Sequence, residues 1–194
     1  MILRRYILVL LALFALSFAP AGATLPVPPP ATLDQRTYND PAMHYVAPAG
    51  VVLVGMRHVP YQAASHMTPV AIWAIDVGKR NARVISLSFE RFSHGSLRGF
   101  YTTYVNEIRS SSQGGSFFFQ RKHAVLVNGM PAYWVRVNSG EGLSQMRTYA
   151  YIWYDGVRGV VLSEQARAGN LHERQAKRDL AGAVAVAYPV GRSY

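Results

Sequence analysis

An α+β domain built on an antiparallel sheet is predicted by three observations. Residues 83–92 alternate with a period of two, Ile85, Leu87 and Phe89 on one side and Ser86, Ser88 and Glu90 on the other, the mark of a half-buried strand. Asn128-Gly129 and Asp155-Gly156 each separate two strand-like runs, and such pairs favour tight hairpin turns. Between these strand-rich blocks, Leu97, Tyr101, Tyr104, Val105 and Ile108 recur at helical spacing.

The chain opens on a different pattern. Arg4 and Arg5 precede an apolar run from Tyr6 to Ala19, broken only by Ser17, and Pro20 and Ala21-Gly22-Ala23 follow. A basic start, a short apolar stretch and small residues at the end make a cleavable export signal over residues 1–23. The run is shorter than the roughly 20 residues a spanning helix needs, so no transmembrane anchor is expected after cleavage. Residues 24–44 read as a linker, because Pro26, Pro28, Pro29 and Pro30 favour extended polyproline conformation and Asn39-Asp40-Pro41 signals a turn. Residues 45–194 are then expected to form a single α+β domain.

Within that domain, strands are expected at Val51–Met56, Val70–Val77 and Arg83–Phe92, the last two joined by the polar turn Asp76–Asn81. Ser96 suits the cap of the helix beginning near Leu97, and Ser110–Gly115 ends it. Four more strands follow as a meander: Phe117–Val127, Ala132–Asn138, Met146–Tyr154 and Val157–Ser163. A second helix is expected from Asn170, with Glu173 completing a capping box and Leu171, Ala176, Leu180, Ala183 and Val184 forming its apolar stripe. The sum is a curved antiparallel sheet of about six to seven strands flanked by two main helices.

Composition narrows the function. There is no cysteine, so disulfides, thiol nucleophiles, cysteine-ligated metal and a lipoprotein anchor are all excluded. The formal charge is +10, and loss of Arg4 and Arg5 with the signal lowers it to +8. Charge of that size speaks to partners and solubility. In an exported protein the anionic partners are membrane surfaces, envelope polymers and acidic proteins, and nucleic acid is the weaker class.

No constellation of catalytic, cofactor-binding or metal-ligating residues emerges. His58 and His66 flank a loop, but a zinc site needs three or four protein ligands, and His44, His94, His123 and His172 stand singly. Gly114-Gly115-Ser116 and His94-Gly95-Ser96 are not nucleophile elbows. Glu90 with Glu141 or Glu164 could in principle pair for glycoside hydrolysis, although salt bridges to arginines are the plainer use. Two surface features remain. Arg147, Tyr149, Tyr151 and Trp153 share one side of their strand, and Trp134 and Arg136 share one side of theirs. If the sides coincide, the sheet presents a row of rings and guanidiniums suited to a partner, unless a helix covers it as core. The opposite sides are apolar too, which implies cover on both faces. The second feature is the basic outer side of the last helix, Arg174, Lys177 and Arg178, which is either a solvated face or a contact for an anionic surface.

The element order resembles the PsbP-like superfamily, which includes bacterial envelope proteins of the DcrB type. The residues carrying the resemblance are the helix Ser96–Arg109, the unit Val125-Leu126-Val127-Asn128-Gly129-Met130-Pro131-Ala132-Tyr133, the strand pair around Asp155-Gly156 and the closing helix from Asn170. The resemblance implies a curved antiparallel sheet between helices and a non-enzymatic binding or assembly role. The export signal adds an expected periplasmic or secreted location, and the positive charge an envelope protein or anionic surface as partner. It supplies no functional residue. The competing expectation is a small hydrolase or carbohydrate-binding protein using the aromatic strands.

Overall fold

The computed structural model describes residues 32–33, 35–56, 67–91, 95–111 and 117–187. The expected export signal, the Pro-rich start of the linker, His58, His66, His94 and Gly114-Gly115-Ser116 lie outside them. Among the described residues, eleven strands run in order β1 (Thr32–Leu33), β2 (Thr37–Asp40), β3 (Met43–Val46), β4 (Val51–Met56), β5 (Thr68–Ile75), β6 (Arg83–Arg91), β7 (Phe117–Val127), β8 (Met130–Ser139), β9 (Met146–Tyr154), β10 (Arg158–Arg167) and β11 (Ala183–Ala185). Helix α1 (Leu97–Ser111) lies between β6 and β7, and α2 (Glu173–Asp179) between β10 and β11.

Seven strands form one antiparallel sheet in the order β4-β5-β6-β10-β9-β8-β7. Each hairpin expected from turn chemistry is present. Asn128 and Gly129 both take positive φ, 49° and 85°, the conformation a two-residue turn between twisted strands requires. In the β5–β6 turn, Asp76 adopts φ 54°, and Lys79 N–H donates to its carbonyl at 3.0 Å. The four strands β7 to β10 form the expected continuous meander, although its first strand does not lie beside β6. From β6 at the middle of the sheet the chain crosses one face as α1 and enters β7 at the far edge. β7 to β10 then step back until β10 closes against β6.

Both faces are buried, as the double apolar pattern implies. On one face α1 packs Phe100 and Tyr104 against Val135, Ala150, Ile152 and Val161. Ser96 caps this helix, its Oγ accepting from Gly99 N–H at 3.1 Å. Phe100 is fully buried and rests on Gly159, where any Cβ would overlap its ring. The other face carries the larger core, with Trp73, Ile85, Leu87, Trp134, Trp153 and Leu162 under Tyr45, Leu171, Ala176 and Leu180. At roughly 1.5–3 kcal/mol per large side chain, this second face holds most of the fold's apolar stabilisation.

Two expectations are corrected. Residues 37–44 are not linker: β2 and β3 pair with each other, and β3 also with β11, in a small sheet of order β1-β2-β3-β11. The turn at Asn39-Asp40-Pro41 is real, but it is the bend of a hairpin. Asp40 Oδ1 accepts from Ala42 N–H and Met43 N–H at 2.8 Å each. The second correction concerns α2, which spans only seven residues. His172 occupies its N-cap position without a side-chain cap, while the Asn170 side chain donates to the Arg80 carbonyl at 2.8 Å. Ala183 and Val184, expected on the helical stripe, belong to β11 instead. Gly182 permits the switch, because it lies so close to the Val46 carbonyl that a side chain would not fit.

Candidate functional site

The two rows of aromatic and basic residues do share one face. β8 pairs with β9 so that Trp134 lies opposite Tyr151, Arg136 opposite Tyr149, Ala132 opposite Trp153 and Asn138 opposite Arg147. That face is the one beneath α2 and the small sheet. Trp134, Tyr149 and Trp153 are buried, at 1%, 2% and 0% exposure, so these rings are core and do not form a docking row. Trp134 stacks on Tyr149 with centroids 5.6 Å apart and meets Tyr151 at 4.6 Å. Of the six residues only Arg136, Arg147 and Tyr151 keep partial access to solvent. Arg147 is committed structurally, donating to Asn138 Oδ1 at 3.3 Å and to the Leu171 carbonyl at 3.0 Å.

Helix α2 covers these rings and converts their edge into a charged surface. Glu173 Oε1 accepts from Trp134 Nε1 at 3.1 Å and pairs with Lys177 Nζ at 3.0 Å. The Lys177 ammonium also stands 5.5 Å from the Trp134 ring, close enough for a cation–π contribution. Burial raises the Tyr151 phenol above its ordinary pKa, opposed by Lys177. Outward, Arg174, Lys177 and Arg178 are exposed and line a shallow depression of 570 Å³ together with Glu173 and Ala181. Arg178 is steadied by a 2.5 Å hydrogen bond to Gln175 Oε1. Ala176, the apolar residue of α2, is fully buried, and Arg174, Lys177 and Arg178 lie outward. The result is a positive patch with one internally paired acid, chemically suited to carboxylates, sulfates or phosphates.

Two buried clusters hold further charged groups. Arg158 donates to Asp155 Oδ2 at 2.8 Å and to Asp40 Oδ2 at 2.7 Å. Its guanidinium lies 4.2 Å from the Phe89 ring centroid. The two carboxylates hold it firmly charged, well above the usual arginine range despite burial. Tyr38 O–H donates to Asp40 Oδ2 at 2.9 Å, and burial raises that phenol. In the second cluster, Arg83 bridges Glu164 and Asp179, and Gln175 donates to Asp179 at 2.8 Å. Burial pushes the Glu164 carboxyl up to about 7, Arg83 opposing and Asp179 adding. Each cluster joins the large sheet to the layer above it, the first through β2 and the second through α2.

Glu90 is the exception. It is 5% exposed on the α1 face, and its Oε2 has no hydrogen-bond partner. Burial, with Glu107 of α1 adding, raises its carboxyl to about 7. The carboxylate pairings considered from sequence do not form. Glu90 sits opposite Gly159, under α1, whereas Glu164 sits opposite Ile85 on the other face. Glu141 is exposed beyond β8. His44, His123 and His172 are dispersed over β3, β7 and the start of α2. Among the described residues no group of three or more His, Asp or Glu is placed to hold a metal, and no helix is long and apolar enough to cross a membrane.

No family model matches the sequence. No curated protein matches it. The similarity lies in three dimensions. Cyanobacterial PsbP from a Synechocystis species superposes with a TM-score of 0.52 at 10% identity, covering 78% of this chain and 87% of that one. This chain has a PsbP-like fold. At that identity the likeness defines architecture alone. A Pseudomonas aeruginosa protein of unknown function also superposes, with a TM-score of 0.47 and 10% identity over 75% of this chain and 100% of that one.

The decisive ionic residues of this fold, Asp40, Arg83, Asp155, Arg158 and Asp179, do not stand out in the sequence as a group. One signal was present. Glu90 and Glu164 each occur inside an otherwise apolar or alternating strand, a position where a charge is buried and needs explanation.

Proposed function

We propose that this chain is an exported, non-enzymatic accessory protein of the bacterial cell envelope, of the kind the DcrB-type resemblance implies, and that α2 is where it meets an acidic surface of a partner protein. The observation that carries this reading is the exposed trio Arg174, Lys177 and Arg178 around a shallow depression. It sits on a helix held in place by Trp134 and by the Arg83–Asp179 ion pair. Rigid support under a charged surface reduces the ordering cost of association. The same burial that anchors α2 withdraws Trp134, Tyr149 and Trp153 from solvent, so the aromatic surface that a carbohydrate-binding or hydrolytic role would use is not displayed.

The test is photo-crosslinking of the full chain in its native envelope from a reactive side chain placed at Arg178. Recurrent capture of one acidic protein is the supporting result. Capture should be lost at high salt and in an Arg174→Glu, Lys177→Glu, Arg178→Glu variant that melts like the parent. Failure to capture, with turnover of an ester or glycan by the purified protein, would reverse the assignment.

A further inference from the structure

Strand β4 presents a second surface, remote in sequence from α2. It is an edge of the seven-stranded sheet, pairing with β5 on one side and with no other strand among the described residues. Val52 and Val54 are each 55% exposed. Val52 lies opposite Ala74, Gly55 lies opposite Ile72, and Val54 is the extra residue of the bulge between Leu53 and Gly55. Ile72, Ala74 and Val84 continue this surface and are half-buried. α1 does not shield it, since the helix packs over Val135, Ala150, Ile152 and Val161, on strands β8 to β10. Among the described residues, an edge strand with exposed valines beside a partly exposed apolar surface is a template for another strand.

The two edges of the sheet differ in charge. β7, the opposite edge, displays exposed Lys122 and His123. β4 reads Val-Val-Leu-Val-Gly-Met and has no ionisable side chain at all. In a protein of net charge +10, edge-to-edge contact through β7 would bring like charges together, which is destabilising. Contact through β4 brings none together. An acidic strand would find no counter-charge on β4, whereas a second β4 offers the same uncharged, valine-bearing profile.

We propose that β4 pairs antiparallel with β4 of a second copy of this chain, about a two-fold axis. The contact is isologous and joins the two exposed valine pairs into one apolar patch. It would extend the sheet across two molecules. A contact of one strand and two valines per copy falls below the roughly 1,200 Å² at which specific interfaces begin to be strong, so the dimer forms with a dissociation constant of about micromolar order.

Sedimentation equilibrium of the mature full chain tests this. The parent should pass from monomer to dimer as concentration rises from about 1 to about 500 µM, spanning that constant. The Val52→Lys, Val54→Lys variant should stay monomeric throughout, with unchanged circular dichroism. Leu126→Lys, at an exposed apolar residue of the β7 edge (69% exposed), should leave association intact. Because the chain has no cysteine, a second measurement is independent of the lysine variants. Val54→Cys should yield covalent dimers with a short bismaleimide, and Leu126→Cys should not. A parent that remains monomeric over the whole range overturns the proposal. So does association that survives the paired lysine substitution or disappears with Leu126→Lys, and so does equal crosslinking at positions 54 and 126.

Discussion

Arg158 and Asp40 are 118 positions apart in the chain, and their side chains meet at 2.7 Å. The contact joins the centre of the large sheet to the hairpin of the small one. Asp155 holds the same guanidinium at 2.8 Å, so Arg158 is matched by two carboxylates in a buried setting. Removing one partner of a buried ion pair leaves charge uncompensated, which costs about 3–5 kcal/mol. Asp40→Ala should therefore lower unfolding stability by about that amount, losing also the acceptor for Ala42 and Met43. Urea unfolding followed by tryptophan fluorescence reads the loss directly. A change below 1 kcal/mol, on the order of a surface pair, would mean that the small sheet is not tied down through this contact.

Phe100 and Gly159 make a second obligatory fit. The ring occupies the space a Cβ would need. Gly159→Ala should destabilise by about 1–3 kcal/mol through overpacking, and Phe100→Leu in the same chain should recover part of that loss. A double-mutant cycle measures the coupling. Additive losses would show that α1 shifts to accommodate the methyl group.

Glu90 makes stability depend on pH in a direction opposite to that of most carboxylates. Its folded-state pKa of about 7 lies above the ordinary 4.5, so the folded protein holds the proton more tightly than the unfolded chain. The contribution of Glu90 is then most favourable below pH 4.5. It declines as pH rises through the window from 4.5 to about 7, and is constant above that. Glu164 titrates in the same window. Glu90→Gln should raise stability at pH 8 by about 1–3 kcal/mol and make the decline between pH 5 and 7 shallower, leaving the part due to Glu164. Thermal melts of parent and variant at a series of pH values decide it, and parallel profiles would contradict the assignment.

Trp134 is the mechanical link between the ring row and α2. Trp134→Phe retains most of the buried ring but removes the Nε1 hydrogen bond to Glu173. A loss of about 1 kcal/mol is expected, together with faster amide exchange in α2. If exchange in α2 is unaltered while β8 loosens, the helix is held by its apolar contacts alone.

Much of this architecture was legible because local rules and global structure agree. Asn128-Gly129, Asp155-Gly156 and the cap at Ser96 act over a few residues, and each operates as its chemistry dictates. The small sheet was hidden for a physical reason. Thr37, Tyr38, Asn39 and Asp40 have turn-like composition, and their pairing with Met43–Val46 is fixed by contacts to Phe89 and Arg158 far along the chain. The end of α2 was hidden by alanine, which fits either state, so Ala181–Ala185 continued a helical pattern until Gly182 met Val46. The aromatic rows posed a different problem. Pairing of β8 with β9 could be foreseen, but a strand apolar on both sides cannot reveal which layer covers it. Only the packed structure shows Trp134 enclosed and Lys177 left outside.

The position of β10 has a consequence for how the molecule is made. It fills the gap between β6 and β9, and the side chains that meet there are distant in sequence, Ser86 touching Ser163 at 2.9 Å across a separation of 77 residues. During synthesis the β4–β5–β6 hairpin array emerges early and waits with an open flank until the chain has reached residue 167. Closure of such distant contacts is slow compared with hairpin formation. The early and late halves of the polypeptide thus meet along one seam, and the large sheet is incomplete until β10 is in place.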